Sequence, residues 1–127
     1  MVKYRAVIDD PSLSRVRGIP LEEEEGLGAL TIAGYLREVC QRYAEREAVV
    51  FRHGDMVERW TYQELWDRSR QVARSLIASG VGRDTRVGIL MTNRPEYLSA
   101  LFGTALAGGV AVALSTFSTK PELQHLL

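Results

Sequence analysis

"RVGILMTNRPEYLSALFGTALAGGVAVAL", residues 86–114, decides the fold. It opens on an apolar run of strand length, Arg86 to Met91, and then passes through Asn93 and Arg94 to Pro95. The fixed φ and missing N–H of proline suit the first position of a helix. From Pro95 to about Ala107 the residues are apolar on nearly all sides. Ala100, Gly103, Thr104 and Ala105 are small enough to let that helix lie close to a sheet. Gly108 and Gly109 then turn the chain into the β-leaning "VAVAL", Val110 to Leu114. Strand, loop, buried helix and strand within about 30 residues make a βαβ unit, so the two strands are expected to be parallel and the crossover right-handed.

The same residues support a rival. Residues 97–119 are uncharged and long enough to cross a bilayer, for which about 20 apolar residues suffice. Against a span, Gly103, Gly108 and Gly109 break the middle, and the residue types change from Leu and Ala to Val. Strands covered on both faces also read as continuous apolar runs. No membrane span is the expectation, with a single-span membrane protein as the alternative.

Upstream lies "WTYQELWDRSRQVARSLIASGV", residues 60–81. Thr61 and Glu64 form the T-x-x-E of a capping box, and Trp60 can staple onto Leu65 in the first turn. Tyr62, Leu65, Trp66, Ser69, Val72, Ala73, Leu76 and Ile77 share one face, so one side packs and the other is wet. Gly80 ends the helix. Trp60, Tyr62 and Trp66 fall on the cap and the apolar stripe, which favours core packing over a stacking surface.

Before this helix, Ala48 to Arg52 and Val57 to Trp60 are short β-prone runs around "HGDM", a β-hairpin signal with Gly54 and Asp55 in the turn. Earlier still, Ile32, Tyr35, Leu36, Val39, Cys40 and Tyr43 recur at helical spacing behind Thr31, a fitting N-cap. Residues 1–30 carry Pro11, Pro20 and several glycines, plus the acidic run Glu22 to Glu25, and read as an irregular arm. After residue 114, "KPELQHLL" begins another helix with Pro121 near its start.

Composition narrows the function. A chain of 127 residues fits one small domain. Sixteen basic and sixteen acidic residues balance, and the arginines form no stripe, so nucleic acid is not an expected partner. The lone cysteine, Cys40, excludes an internal disulfide or a Cys-based metal cluster, and nothing near Met1 builds the apolar core of an export signal. A cytoplasmic setting is expected.

Motifs of catalysis are scarce. "GLGALT" from Gly26 lacks the third glycine of a dinucleotide loop, and there is no G-x-x-x-x-G-K-[ST], no G-x-S-x-G and no H-E-x-x-H. His53 sits in the hairpin turn with no acidic or nucleophilic partner fixed by spacing, and His125 is the only other histidine. Ser115, Thr116, Ser118 and Thr119 follow a strand, where α/β proteins bind ligands, although such a stretch is more often an ordinary strand-to-helix loop.

Taken in order, "WTYQEL", "VARSLIASGV", residues 86–114 and "STKPELQHLL" resemble the N-terminal region of the adenylate-forming acyl-CoA synthetase family. That family includes fatty-acyl and aryl-acid CoA ligases, luciferases and peptide-synthetase adenylation domains. The resemblance runs from about Thr31 to Leu127. Two departures stand out: the family commonly has Gly-Asp before the Arg-Val that opens the strand, where this chain has Asp84 and Thr85. It also commonly has a proline and an asparagine near the end of the second strand, where this chain has Ala113 and Ser115.

The resemblance implies an α/β fold in which residues 31–127 are the incomplete N-terminal part of an AMP-dependent synthetase/ligase domain. It implies that a fatty or aryl carboxylic acid attacks the α-phosphate of ATP, with magnesium, and that CoA then takes the acyl group. The family's phosphate loop, nucleotide contacts, acyl pocket and catalytic lysine lie further along than any matching position here. No catalytic, cofactor-binding or metal residue is therefore carried over. The chain alone, as a fragment of a longer ligase or a truncated product, is expected to be inactive. A non-catalytic interaction scaffold, pairing through the exposed edge of its short sheet, is the other alternative.

Overall fold

The computed structural model describes residues 31–126. The expected N-terminal arm, with its acidic run and the glycines of "GLGALT", lies outside the described residues.

Helix α1, Ile32–Arg42, begins where Thr31 Oγ1 accepts from the Gly34 N–H at 3.0 Å. Its apolar stripe is only half covered: Leu36 and Cys40 are buried, while Ile32 and Tyr35 are 65% and 51% exposed. Strands β1, Glu47–His53, and β2, Met56–Thr61, pair as an antiparallel hairpin. His53 faces Met56 across a two-residue turn, in which Gly54 takes φ +59° at the first central position, as a type II′ turn requires.

Helix α2, Tyr62–Ala78, follows β2 without a loop. Both halves of the capping box form: Glu64 N donates to Thr61 Oγ1 at 3.2 Å, and Thr61 N to Glu64 Oε2 at 2.8 Å. Trp60 and Leu65 join Leu36 and Cys40 in one buried cluster, so the expected staple lies inside the core. Burying each of these leucines stabilises the fold by roughly 1.5–3 kcal/mol. At the far end Gly80 takes φ +88°, its N–H bonding Ile77 O while Val81 N bonds Leu76 O. That pair of bonds is a Schellman cap. Ile77, expected on the packed face, is 56% exposed: it lies in the last turn, where that face runs out of cover.

Strand β3, Arg86–Leu90, helix α3, Pro95–Leu106, and strand β4, Val110–Leu114, form the expected unit with the two strands parallel, Arg86 opposite Val110 and Leu90 opposite Leu114. Met91 falls just outside β3. Pro95 is the first helical residue. Leu98, Phe102 and Leu106, at i, i+4 and i+8, pack on the buried cluster.

Gly103 corrects the expectation drawn from the small residues of this helix. A β-carbon there would lie 2.6 Å from Val72 Cγ1 and 3.0 Å from Ser69 O, so its close approach is to α2 and not to a sheet. The uncharged stretch also resolves against the membrane alternative. It is a twelve-residue helix, a turn and a strand, and no helix among the described residues is long and apolar enough to cross a membrane. The turn repeats the cap of α2: Gly108 takes φ +81°, with Gly108 N on Ala105 O and Gly109 N on Thr104 O. Helix α4, Lys120–Leu126, completes the described chain.

Candidate functional site

Parallel pairing sets the carboxyl ends of β3 and β4 side by side, and open α/β sheets bind ligands outside such ends. Two loops leave from there, residues 91–94 into α3 and residues 115–119 into α4. In the first, Thr92, Asn93 and Arg94 are exposed. Arg94 occupies the cap position of α3 but makes no side-chain hydrogen bond to the helix. Its guanidinium turns to Glu96, with Nε 3.3 Å from Oε2 and a terminal nitrogen 3.4 Å from Oε1. Glu96 Oε2 is itself buried and out of hydrogen-bond alignment, so charge holds that contact. With both side chains partly exposed, the pair contributes at most about 1 kcal/mol.

The second loop spends its hydroxyls locally. Ser115 Oγ accepts from Phe117 N at 3.2 Å, and Ser118 N donates to Ser115 O at 3.1 Å, closing a small turn from which Phe117 projects almost fully exposed. Thr119 N and Oγ1 both donate to Glu122 Oε2, at 2.7 and 3.0 Å. These bonds, the backbone one foremost, hold the Glu122 carboxyl below the usual glutamate range. Thr116 is exposed and Ser118 half-buried. The contacts of Ser115 and Thr119 are those of a strand-to-helix connection.

Beside the first loop, a cleft of about 570 Å³ opens toward the hairpin tip, walled by Phe51, His53, Met56 and Glu58 on one side and residues 92–94 on the other. The hairpin register explains it. Trp60, opposite Val49, Glu58, opposite Phe51, and Met56, opposite His53, share one face, which is buried at Trp60 and exposed at Met56. The core face of the hairpin therefore continues outward as the cleft wall. Glu58 Oε1 accepts from Trp60 Nε1 at 2.7 Å, and the His53 ring lies nearly parallel to that of Phe51 at 6.4 Å. Nothing in the sequence points to this cleft, because its two walls are distant in the chain and share no motif.

Of the other residues weighed from sequence, Trp60 is buried, and Tyr62 and Trp66 pack against the same cluster, as expected of core aromatics. The Arg68 guanidinium covers the Trp60 ring at 4.3 Å. His53 is exposed at the hairpin tip, and His125 lies in α4, on a different element. Cys40 is buried, and burial pushes its thiol pKa up. Among the described residues no group of three or more His, Cys, Asp or Glu could hold a metal ion, and Lys120, the only lysine among them, is exposed.

Comparison with known proteins agrees with the fold. An acyl-CoA ligase of Ajellomyces capsulatus is 35% identical over 125 residues, covering 98% of this chain and 19% of that protein. One of Aspergillus fumigatus is 34% identical over 98 residues, covering 77% of this chain and 16% of its own. The chain thus spans less than a fifth of the length of these relatives. A fatty acyl CoA synthetase of Mycobacterium tuberculosis superposes with a TM-score of 0.69 at 28% identity, over 75% of this chain and 18% of that one. The N-terminal subdomain of NpsA from Klebsiella oxytoca superposes with a TM-score of 0.69 at 22% identity, over 76% and 24%. The family model described as "AMP-binding enzyme" matches residues 36–127, and with the hairpin, the capped α2 and the parallel pair in place, the chain belongs to that family of adenylate-forming ligases.

Proposed function

We propose that this chain supplies the scaffold at the start of an enzyme that activates a carboxylic acid with ATP and magnesium and transfers the acyl group to the thiol of CoA. In this reading residues 31–127 are the N-terminal part of the ligase domain, residues 1–30 are an arm before it, and the acid is fatty or aromatic. The observation that carries the proposal is the family match over residues 36–127, on a segment whose relatives include acyl-CoA ligases. The lone buried thiol of Cys40 agrees with a reducing cytoplasm.

The 127 residues alone form no acyl-adenylate under this proposal. Their well-defined parts, the capping box, the buried cluster and the close contact of α2 with α3, serve folding. Arg94, Ser115 and Thr119 near the strand ends, and Glu58 in the cleft wall, already have local partners.

The test is to incubate the purified chain with ATP, magnesium and a panel of fatty and aryl acids, and to follow acyl-adenylate by mass spectrometry. No product above the protein-free blank is expected, and acyl-adenylate formation overturns the scaffold reading. The ligase reading is tested separately on the gene product that contains these residues. Pyrophosphate release should require the acid, AMP release should require both acid and CoA, and acid-independent ATP consumption counts against it.

A further inference from the structure

We draw no further inference here: the strongest candidate, the cleft of about 570 Å³ between the hairpin tip at His53 and Met56 and the loop at Asn93 and Arg94, has walls whose charged groups are already partnered by Trp60 and Glu96, and nothing in the structure shows what covers it.

Discussion

Gly103 in α3 stands directly against Val72 in α2: a β-carbon on Gly103 would come within 2.7 Å of Val72 Cβ as well as 2.6 Å of Val72 Cγ1. Contacts this short are not accommodated without movement. The helices meet where one of them has no side chain.

Gly103→Ala should therefore destabilise the fold even though alanine favours a helix by about 1 kcal/mol over glycine. Overpacking typically costs 1–3 kcal/mol, and contacts this short belong at the upper end, so a net loss of up to roughly 2 kcal/mol is expected in urea melts. Adding Val72→Ala removes the clash with Cγ1 but leaves Val72 Cβ at 2.7 Å and Ser69 O at 3.0 Å, so the double variant should recover only a minor part of the loss. A fully additive pair would mean that the two residues do not touch.

Asp84 is the one non-glycine residue with positive φ among those described, at +63°. It occupies the position where the resembled family commonly has glycine, in the turn that feeds β3. Asp84→Gly should leave the fold equally stable or raise it by up to about 1 kcal/mol, while a β-branched Asp84→Val should lower it by roughly 1–2 kcal/mol. Thermal midpoints of the two variants, moving in opposite directions or not, decide the matter.

Thr61 and Glu64 each satisfy one backbone N–H at the start of α2. Replacing Thr61 by alanine should cost about 1 kcal/mol, and Thr61→Ser should restore most of it. Amide exchange at Glu64 should quicken in the alanine variant ahead of exchange in the centre of α2. Uniform acceleration along the helix would place the effect elsewhere.

Glu122 titrates below the usual glutamate range because Thr119 donates to its carboxylate, mainly through the backbone. A carboxyl with a depressed folded pKa adds stability above its unfolded pKa and loses it as pH falls through the folded one. The start of α4 should accordingly loosen on acidification. In an NMR titration, Thr119→Ala should move the Glu122 midpoint up only partway, since the backbone donor remains. A midpoint that does not move would remove the hydroxyl from the account.

Cys40 shifts the other way. Burial keeps its thiol neutral in the fold, so the stability it contributes is present below the unfolded thiol pKa and is lost as pH rises above it. Alkylation by iodoacetamide should be slow in the native protein and accelerate with urea in step with unfolding. Rapid labelling without denaturant would contradict the burial of Cys40.

Much of this architecture was legible because local chemistry and tertiary packing agree. The T-x-x-E at Thr61, the glycine at Gly80 and the proline at Pro95 each fix an element end through backbone hydrogen bonding or φ, and those determinants act within a few residues. Periodicity was less informative about cover. It put Ile32, Tyr35 and Ile77 on packed faces, and they are exposed because a stripe shows which side could be buried without showing how far its partner extends. The partner of Gly103 was likewise hidden, since smallness signals close approach but not to what. The cleft beside Arg94 was invisible for a further reason: it arises from the overhang of one hairpin face, a matter of register and relative placement.

The parallel pairing of β3 with β4 also sets an order of events during synthesis. Leu36, Cys40, Trp60 and Leu65 all precede β3 in the chain, so the buried cluster has its members before the sheet does. β3 has no strand to pair with until α3 and then Val110 to Leu114 have left the ribosome, because a parallel partner can be reached only through a crossover. For that interval, Leu90 and its neighbours are an apolar strand without its partner, and the cluster still waits for the cover that Leu98, Phe102 and Leu106 bring from α3.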